Sequence, residues 1–229
     1  MDFGLWTEAE RSFRKAVEID PDFIIGKSLV ARISASLEER QELQREIESR
    51  SAEVDAAGRL ILEVFLRNIQ AMNLRDQGRP PSVEFNNGRE ALAISNFGAF
   101  LDKYPDDTYI MAEYVEWLHR VEGAQTALIA IRQNLTANQR KVPFFVRYAA
   151  SLNAELGNYD EALAQASGFQ TMLDNPGLPE QYVLYAEIYH GLGRLDDARQ
   201  NVDKALELDP GHLIASGLRS RIHAELGQQ

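Results

Sequence analysis

Cysteine is absent from all 229 residues, which excludes a disulfide framework, a thiolate metal site and a cysteine nucleophile. Long apolar runs are missing too. No stretch approaches the roughly 18 apolar residues of a membrane-spanning helix, and the start, MDFGLWTEAERSF, lacks the basic and apolar regions of a signal peptide. No membrane insertion is expected. Basic clusters are equally scarce: residues 1–78 carry 11 positive and 15 negative groups, 79–150 carry 8 and 8, and 151–229 carry 5 and 12. Phosphate backbones are bound by clustered Lys and Arg, so no nucleic-acid partner is expected.

Chemistry-bearing motifs are absent as well. There is no H-E-x-x-H, no carboxylate-rich calcium loop and no G-x-S-x-G. Gly191-Leu192-Gly193 lacks the preceding strand and third glycine of a dinucleotide loop and reads as a turn between helices. No metal, no cofactor and no enzymatic activity are expected. What remains is an ordinary folding composition, 45% hydrophobic and 26% charged, with enough apolar surface for a core.

A regular spacing is present. Gly88, Gly123, Gly157, Gly193 and Gly227 are separated by 35, 34, 36 and 34 residues, and a constant period of this length marks a solenoid whose units must stack to bury their apolar faces. A second regularity overlays it. Ala9, Phe13, Ala16 and Pro21 share their offsets with Ala93, Phe97, Phe100 and Pro105, and with Ala198, Val202, Ala205 and Pro210. Offsets of four and seven lie on one helical face. The small residue admits a neighbouring helix and Pro ends the run. Each glycine is expected between the two helices of a pair, as a left-handed cap. The set at Ala162 degrades beyond its first member, and Leu128 stands where a small residue is expected.

These residues resemble the tetratricopeptide repeat, whose pattern runs W-x2-L-G-x2-Y, A-x3-F, P over about 34 residues. The clearest match is PEQYVLYAEIYHGLGRLDDARQNVDKALELDP at 179–210, followed by EAERSFRKAVEIDPDF and EALAISNFGAFLDKYPDD. The resemblance implies an all-α, right-handed superhelical α-solenoid of antiparallel helix pairs, about twelve helices in a single body over 1–229. Residues 1–21 are expected to be a partial first repeat, 88–210 the more regular repeats and 211–229 a C-terminal capping helix.

Residues 22–87 break the period. Here FIIGKSLVARISASL, EERQELQREIESR and AEVDAAGRLILEVFLRNIQAMNLR are expected as helices, Ser51 as the N-cap of the last, and 77–87 as a loop. The charged run at 38–50 reads as a solvated helix face. Because Met1 falls inside a repeat, the chain is expected to be a segment of a longer protein or to have an edge that self-associates. A cytoplasmic location follows from the missing signal, a periplasmic one if a signal lies upstream.

The family binds peptides or partner helices on the concave face lined by first helices. Carried over by frame, that implies a groove of Glu113, Trp117, Arg120, Arg147, Tyr148, Ser151, Glu187 and His190. Trp117, Arg120 and Arg147 are of the types that anchor interfaces. His119 and His223 fall on a packing position instead, and His212 in a connection. Chaperone-binding members hold a terminal carboxylate with Lys, Asn and Arg. This chain has Glu113, Trp117, Tyr148, Glu180 and Leu184 at those places, which argues against such a ligand. Two readings stay open: a non-enzymatic scaffold, or a regulatory segment of a larger enzyme or signalling protein, since the FGAFLDKYPDD segment also resembles tetratricopeptide tails of bacterial signalling proteins.

Overall fold

A computed structural model describes residues 6–173 and 178–227. Twelve α-helices and no strand are found among them: α1 (Trp6–Ile19), α2 (Ile24–Ile33), α3 (Leu37–Arg50), α4 (Ala56–Asp76), α5 (Val83–Leu101), α6 (Thr108–Glu122), α7 (Ala124–Asn134), α8 (Pro143–Glu155), α9 (Tyr159–Met172), α10 (Glu180–Gly191), α11 (Leu195–Leu208) and α12 (Leu213–Leu226). This is an all-α solenoid of helix pairs. None of the described helices is long and apolar enough to cross a membrane. Packing divides the chain into two compact units, with the division inside α6 between Trp117 and Leu118.

In the N-terminal unit the boundaries differ from expectation at three places, each for a local reason. The helix expected over 23–37 stops at Ile33, because Ser34 leaves helical geometry and Ser36 caps α3 by accepting the Glu39 N–H at 3.2 Å. Asp55, not Ser51, caps α4, accepting the Gly58 N–H at 2.7 Å, while Ser51–Glu53 forms a short 3-10 turn. The loop expected over 77–87 is shorter than that. Ser82 accepts the Phe85 N–H at 3.1 Å and starts α5 at Val83, so Gly88 lies within a 19-residue helix. An exposed helical glycine costs about 1 kcal/mol, which the packing of so long a helix outweighs.

The turn between α4 and α5 falls instead on Gly78. Its φ is +70°, the Gly78 N–H bonds the Arg75 carbonyl and the Arg79 N–H reaches back to the Leu74 carbonyl at 2.9 Å, the pattern of a glycine-capped helix end. Gly193 (φ +71°) closes α10 in the same way. Gly227, by contrast, has a φ of −75°.

Packing in the N-terminal unit centres on Phe65 and Phe97, edge to face at 6.1 Å, with Ile24, Ile47 and Leu62 forming a second cluster. The charged helix α3 is more than a solvated face. Arg40 is buried, donates to Asn73 Oδ1 on α4 at 3.0 Å and to the Ser34 carbonyl at 2.7 Å, and pairs with Asp76. Glu46 pairs with Lys27 of α2. Glu39 is gripped by both Nη atoms of Arg14 on α1, at 2.6 and 2.9 Å, and accepts from Ser34.

In the C-terminal unit the apolar offsets do what their sizes demand. Ala198, Val202 and Ala205 are fully buried against Val183, Ala186, Ala215, Leu218 and Ile222. The degraded set at Ala162 proves to be a swap of sizes, with Ala162, Ala166 and Phe169 all buried against Ala150, Leu184 and Ile188. In α7, Ala127 takes the fully buried small position beside Leu128.

Two outcomes are expected. Ala198→Leu forces three extra carbons into a filled contact and should lower stability by roughly 1–3 kcal/mol in urea denaturation. Hydrogen bonds first from Arg14 and then from Ser34 hold the Glu39 carboxyl down at about 2. A depressed carboxylate contributes above its unfolded value of about 4.3 and loses that contribution as pH falls towards the folded value. The stability gap between the native chain and Glu39→Gln should therefore be constant above about pH 5 and close between there and about pH 2; it is a modest one, because the side chain is 34% exposed.

Candidate functional site

The first helices of the pairs are α2, α4, α6, α8, α10 and α12, and the eight groove candidates all lie on them. In the N-terminal unit two of the eight are structural. The Glu113 carboxylate is buried, and both its oxygens accept from Nη2 of Arg32 of α2, at 2.8 and 3.0 Å. Arg32 also lies 4.2 Å from the centre of the Phe65 ring and 3.3 Å from the Tyr109 hydroxyl. Burial raises the Tyr109 phenol above its ordinary value, keeping it protonated. One guanidinium thus ties α2, α4 and α6 together.

Trp117 is not on an open face either. It is 7% exposed, with the Arg89 guanidinium of α5 5.2 Å from its ring centre. The frame placed it correctly on α6, but helical phase turned it inward, and a tryptophan so enclosed cannot anchor a partner.

The C-terminal unit presents an ordered polar row instead. Tyr148 stacks on Phe144 at 5.4 Å, and its hydroxyl meets Nδ1 of His119 at 2.8 Å. Nε2 of the same imidazole meets Glu155 at 2.8 Å. A carboxylate can only accept, so Nε2 carries the hydrogen towards Glu155 and, in the neutral ring, Nδ1 accepts from Tyr148. Ser151 donates to Glu187 at 3.0 Å, and Nε2 of His190 meets Glu225 at 2.9 Å. Each bond joins one first helix to the next: α6 to α8, α8 to α10, α10 to α12.

Of the candidates in this unit, Tyr148, Ser151, Glu187 and His190 join the row. Arg120 is exposed at the end of α6. Arg147 is half-buried, and its Nε has no acceptor among the described residues. His119, Glu155 and Glu225 were missed. Their signal was in the spacing: His119 to Glu155, Ser151 to Glu187 and His190 to Glu225 are 36, 36 and 35 residues apart, the repeat period itself. His212, expected in a connection, caps α12 by accepting the Ala215 N–H at 3.3 Å, and its Nε2 lies 3.1 Å from the buried Glu180. Among the described residues no group of three or more His, Asp or Glu is placed to hold a metal ion.

A family model described as tetratricopeptide repeat matches residues 180–212, which are α10, α11 and the turn that follows. The chain contains a tetratricopeptide repeat. No curated protein matches it. Among solved structures, the Cut9–Hcn1 hetero-tetramer of APC/C has a chain 17% identical with a TM-score of 0.56; the match covers 95% of this chain and 39% of that one, and at this identity it supports the fold alone. YrrB, a tetratricopeptide protein with an unusual peptide-binding site, is 17% identical with a TM-score of 0.47, over 93% of this chain and 100% of that one. Pseudomonas aeruginosa pilF is 16% identical with a TM-score of 0.47, over 95% and 90%.

Trp117→Ala should behave as a core truncation. A loss of about 3–5 kcal/mol is expected in chemical denaturation. A loss within about 0.5 kcal/mol, as for surface sites, would show that Trp117 is not part of the interior.

Proposed function

We propose that the chain is a non-enzymatic scaffold that binds a peptide or partner helix on the first-helix face of its C-terminal unit. The observation that carries this reading is the hydrogen-bonded row along α6, α8, α10 and α12. Surface polar side chains usually move freely, and each bond across the row removes rotamer freedom before any partner arrives, which lowers the cost of binding. The row is also partly open, with the side chains of Glu155 and Glu225 56% and 48% exposed. Tyr148 offers a large rigid surface beside it, next to the half-buried Arg147. Aromatic and arginine side chains of this kind dominate interface energetics. The tetratricopeptide repeat is consistent with such a role, and the mechanism is recognition by shape and a few anchors.

The test is capture of a partner by tagged protein, compared across variants. Arg147→Ala and His190→Ala should each weaken capture about fivefold or more. Gln125→Ala and Gln133→Ala, on the exposed side of α7, should leave it unchanged. Equal capture by all four variants would overturn the assignment to this face.

A further inference from the structure

The connection from α11 to α12 holds a buried pair that the scaffold reading does not use. His212 and Glu180 are 8% and 5% exposed. The Ala215 N–H donates to Nδ1 of the imidazole at 3.3 Å, and Nε2 lies 3.1 and 3.3 Å from the two oxygens of the Glu180 carboxylate. One ring nitrogen accepts and the other donates, so these bonds are closed by the neutral ring with its hydrogen on Nε2. A second proton has only Nδ1 to go to. There it turns an acceptor into a donor facing the Ala215 N–H, and the cap of α12 is lost, while the bond from Nε2 to Glu180 survives and becomes charge-assisted at both ends.

The start of α12 depends on that cap. Leu213 and Ile214 are 86% and 49% exposed, and Ala215 is the one residue buried before Leu218. The exposed Gly217 weakens the helix further. With so little packing, the first turn is held by residue 212, whose ring takes the Ala215 N–H and whose carbonyl takes the Ser216 N–H at 3.0 Å. The rest of α12 is anchored independently. Leu218 and Ile222 lie in the cluster of Val183, Ala198 and Val202, and Glu225 meets His190.

The other charged groups of the surrounding elements leave the ring to Glu180. Glu187, the next acid of α10, accepts from Ser151. Asp209, in the connection, gives Oδ1 to the Gly211 N–H at 2.9 Å. Lys204 and Glu207, towards the end of α11, pair with each other, and Arg219, the first charged residue of α12, is exposed.

We propose that His212 is a proton-operated cap: the neutral imidazole holds the first turn of α12, and the imidazolium releases it and stays bound to Glu180. Acid thus frays α12 from its start without detaching the connection from α10. The device stands apart from the scaffold reading; its bearing on the first-helix face rests on that reading, because α12 carries Glu225, the end of the polar row.

The test follows the whole chain by NMR between about pH 8 and about pH 5, the span in which imidazoles change charge. The His212 ring nitrogens should report the Nε2–H tautomer at the upper end and the doubly protonated ring at the lower, and the Ala215 amide signal should move with the same midpoint. The hydrogen-exchange protection factor of that amide, corrected for the intrinsic effect of pH, should fall about fivefold or more, while that of Val183 in α10 stays unchanged. His212→Asn supplies a capping oxygen that takes no proton, and in it the Ala215 protection should be the same at both ends of the range.

A His212 ring that stays neutral down to about pH 5, an Ala215 signal whose midpoint differs from that of the ring, or an equal fall of protection in His212→Asn would each overturn the proposal. If the Asn variant fails to fold, the two midpoints of the native chain still decide. None of these readouts uses a partner, so failure of the capture experiment would leave them standing.

Discussion

Close approach of consecutive helices, allowed by alanine, is the constraint on which the C-terminal unit depends. Ala150, Ala162, Ala186, Ala198 and Ala205 have no exposed surface, and each stands where a larger side chain would push two helices apart. Dispersion falls steeply with distance, so a gap of even one ångström forfeits a large part of the contact energy. The same spacing governs the polar row. Ser151 reaches Glu187, and His190 reaches Glu225, across helices held together by the buried clusters to which Ala150, Ala186 and Ala215 belong. Packing on the buried side therefore sets the geometry on the open side, and overpacking a core alanine would disturb both.

The core was legible because it obeys a rule of size. Alanine with apolar residues four and seven on marks a buried stripe in α5 and α11, where all six residues are buried, whereas Ala9, Phe13 and Ala16 of α1 are only half-buried. Glycine is a weaker marker, since its period arises from repeat length while its conformation depends on whether a helix ends there. Gly157 and Gly193 end helices, but Gly88 does not, because Ser82 offers an earlier start and α5 has enough apolar contact to continue through it. Gly78 did end a helix, and it stood outside the period because α5 is the longer for starting early.

The site was less legible, and Trp117 shows why. Frame assigns a residue to a helix and to a turn of that helix, but whether it faces inwards depends on about 100° of rotation per residue. An error of one position exchanges core for surface. Trp117 fell on the inner side of that boundary, and Tyr148 on the outer. The partners of each polar residue were hidden for a different reason. Local charge pairs can be read at spacings of three and four, whereas Arg32 finds Glu113 81 residues away and Arg40 finds Asp76 36 residues away. In α3 this turned an apparently solvated run into the tie between α1, α2 and α4.

Glu113 and Glu187 sit on first helices of the same array, and their partners divide their roles. Glu113 is buried and gives both oxygens to a guanidinium, so its charge and its lone pairs are consumed within the fold. Removing either partner would leave an uncompensated buried charge, the costly case for any ion pair. Glu187 spends one acceptor site on a hydroxyl and keeps its charge. A carboxylate offers about four such sites, so the bond from Ser151 orients the group and leaves most of it available. Two acidic residues of one helical frame thus differ, one a buried brace and the other left with acceptor sites to spare, and the distinction lies in the donor each one meets.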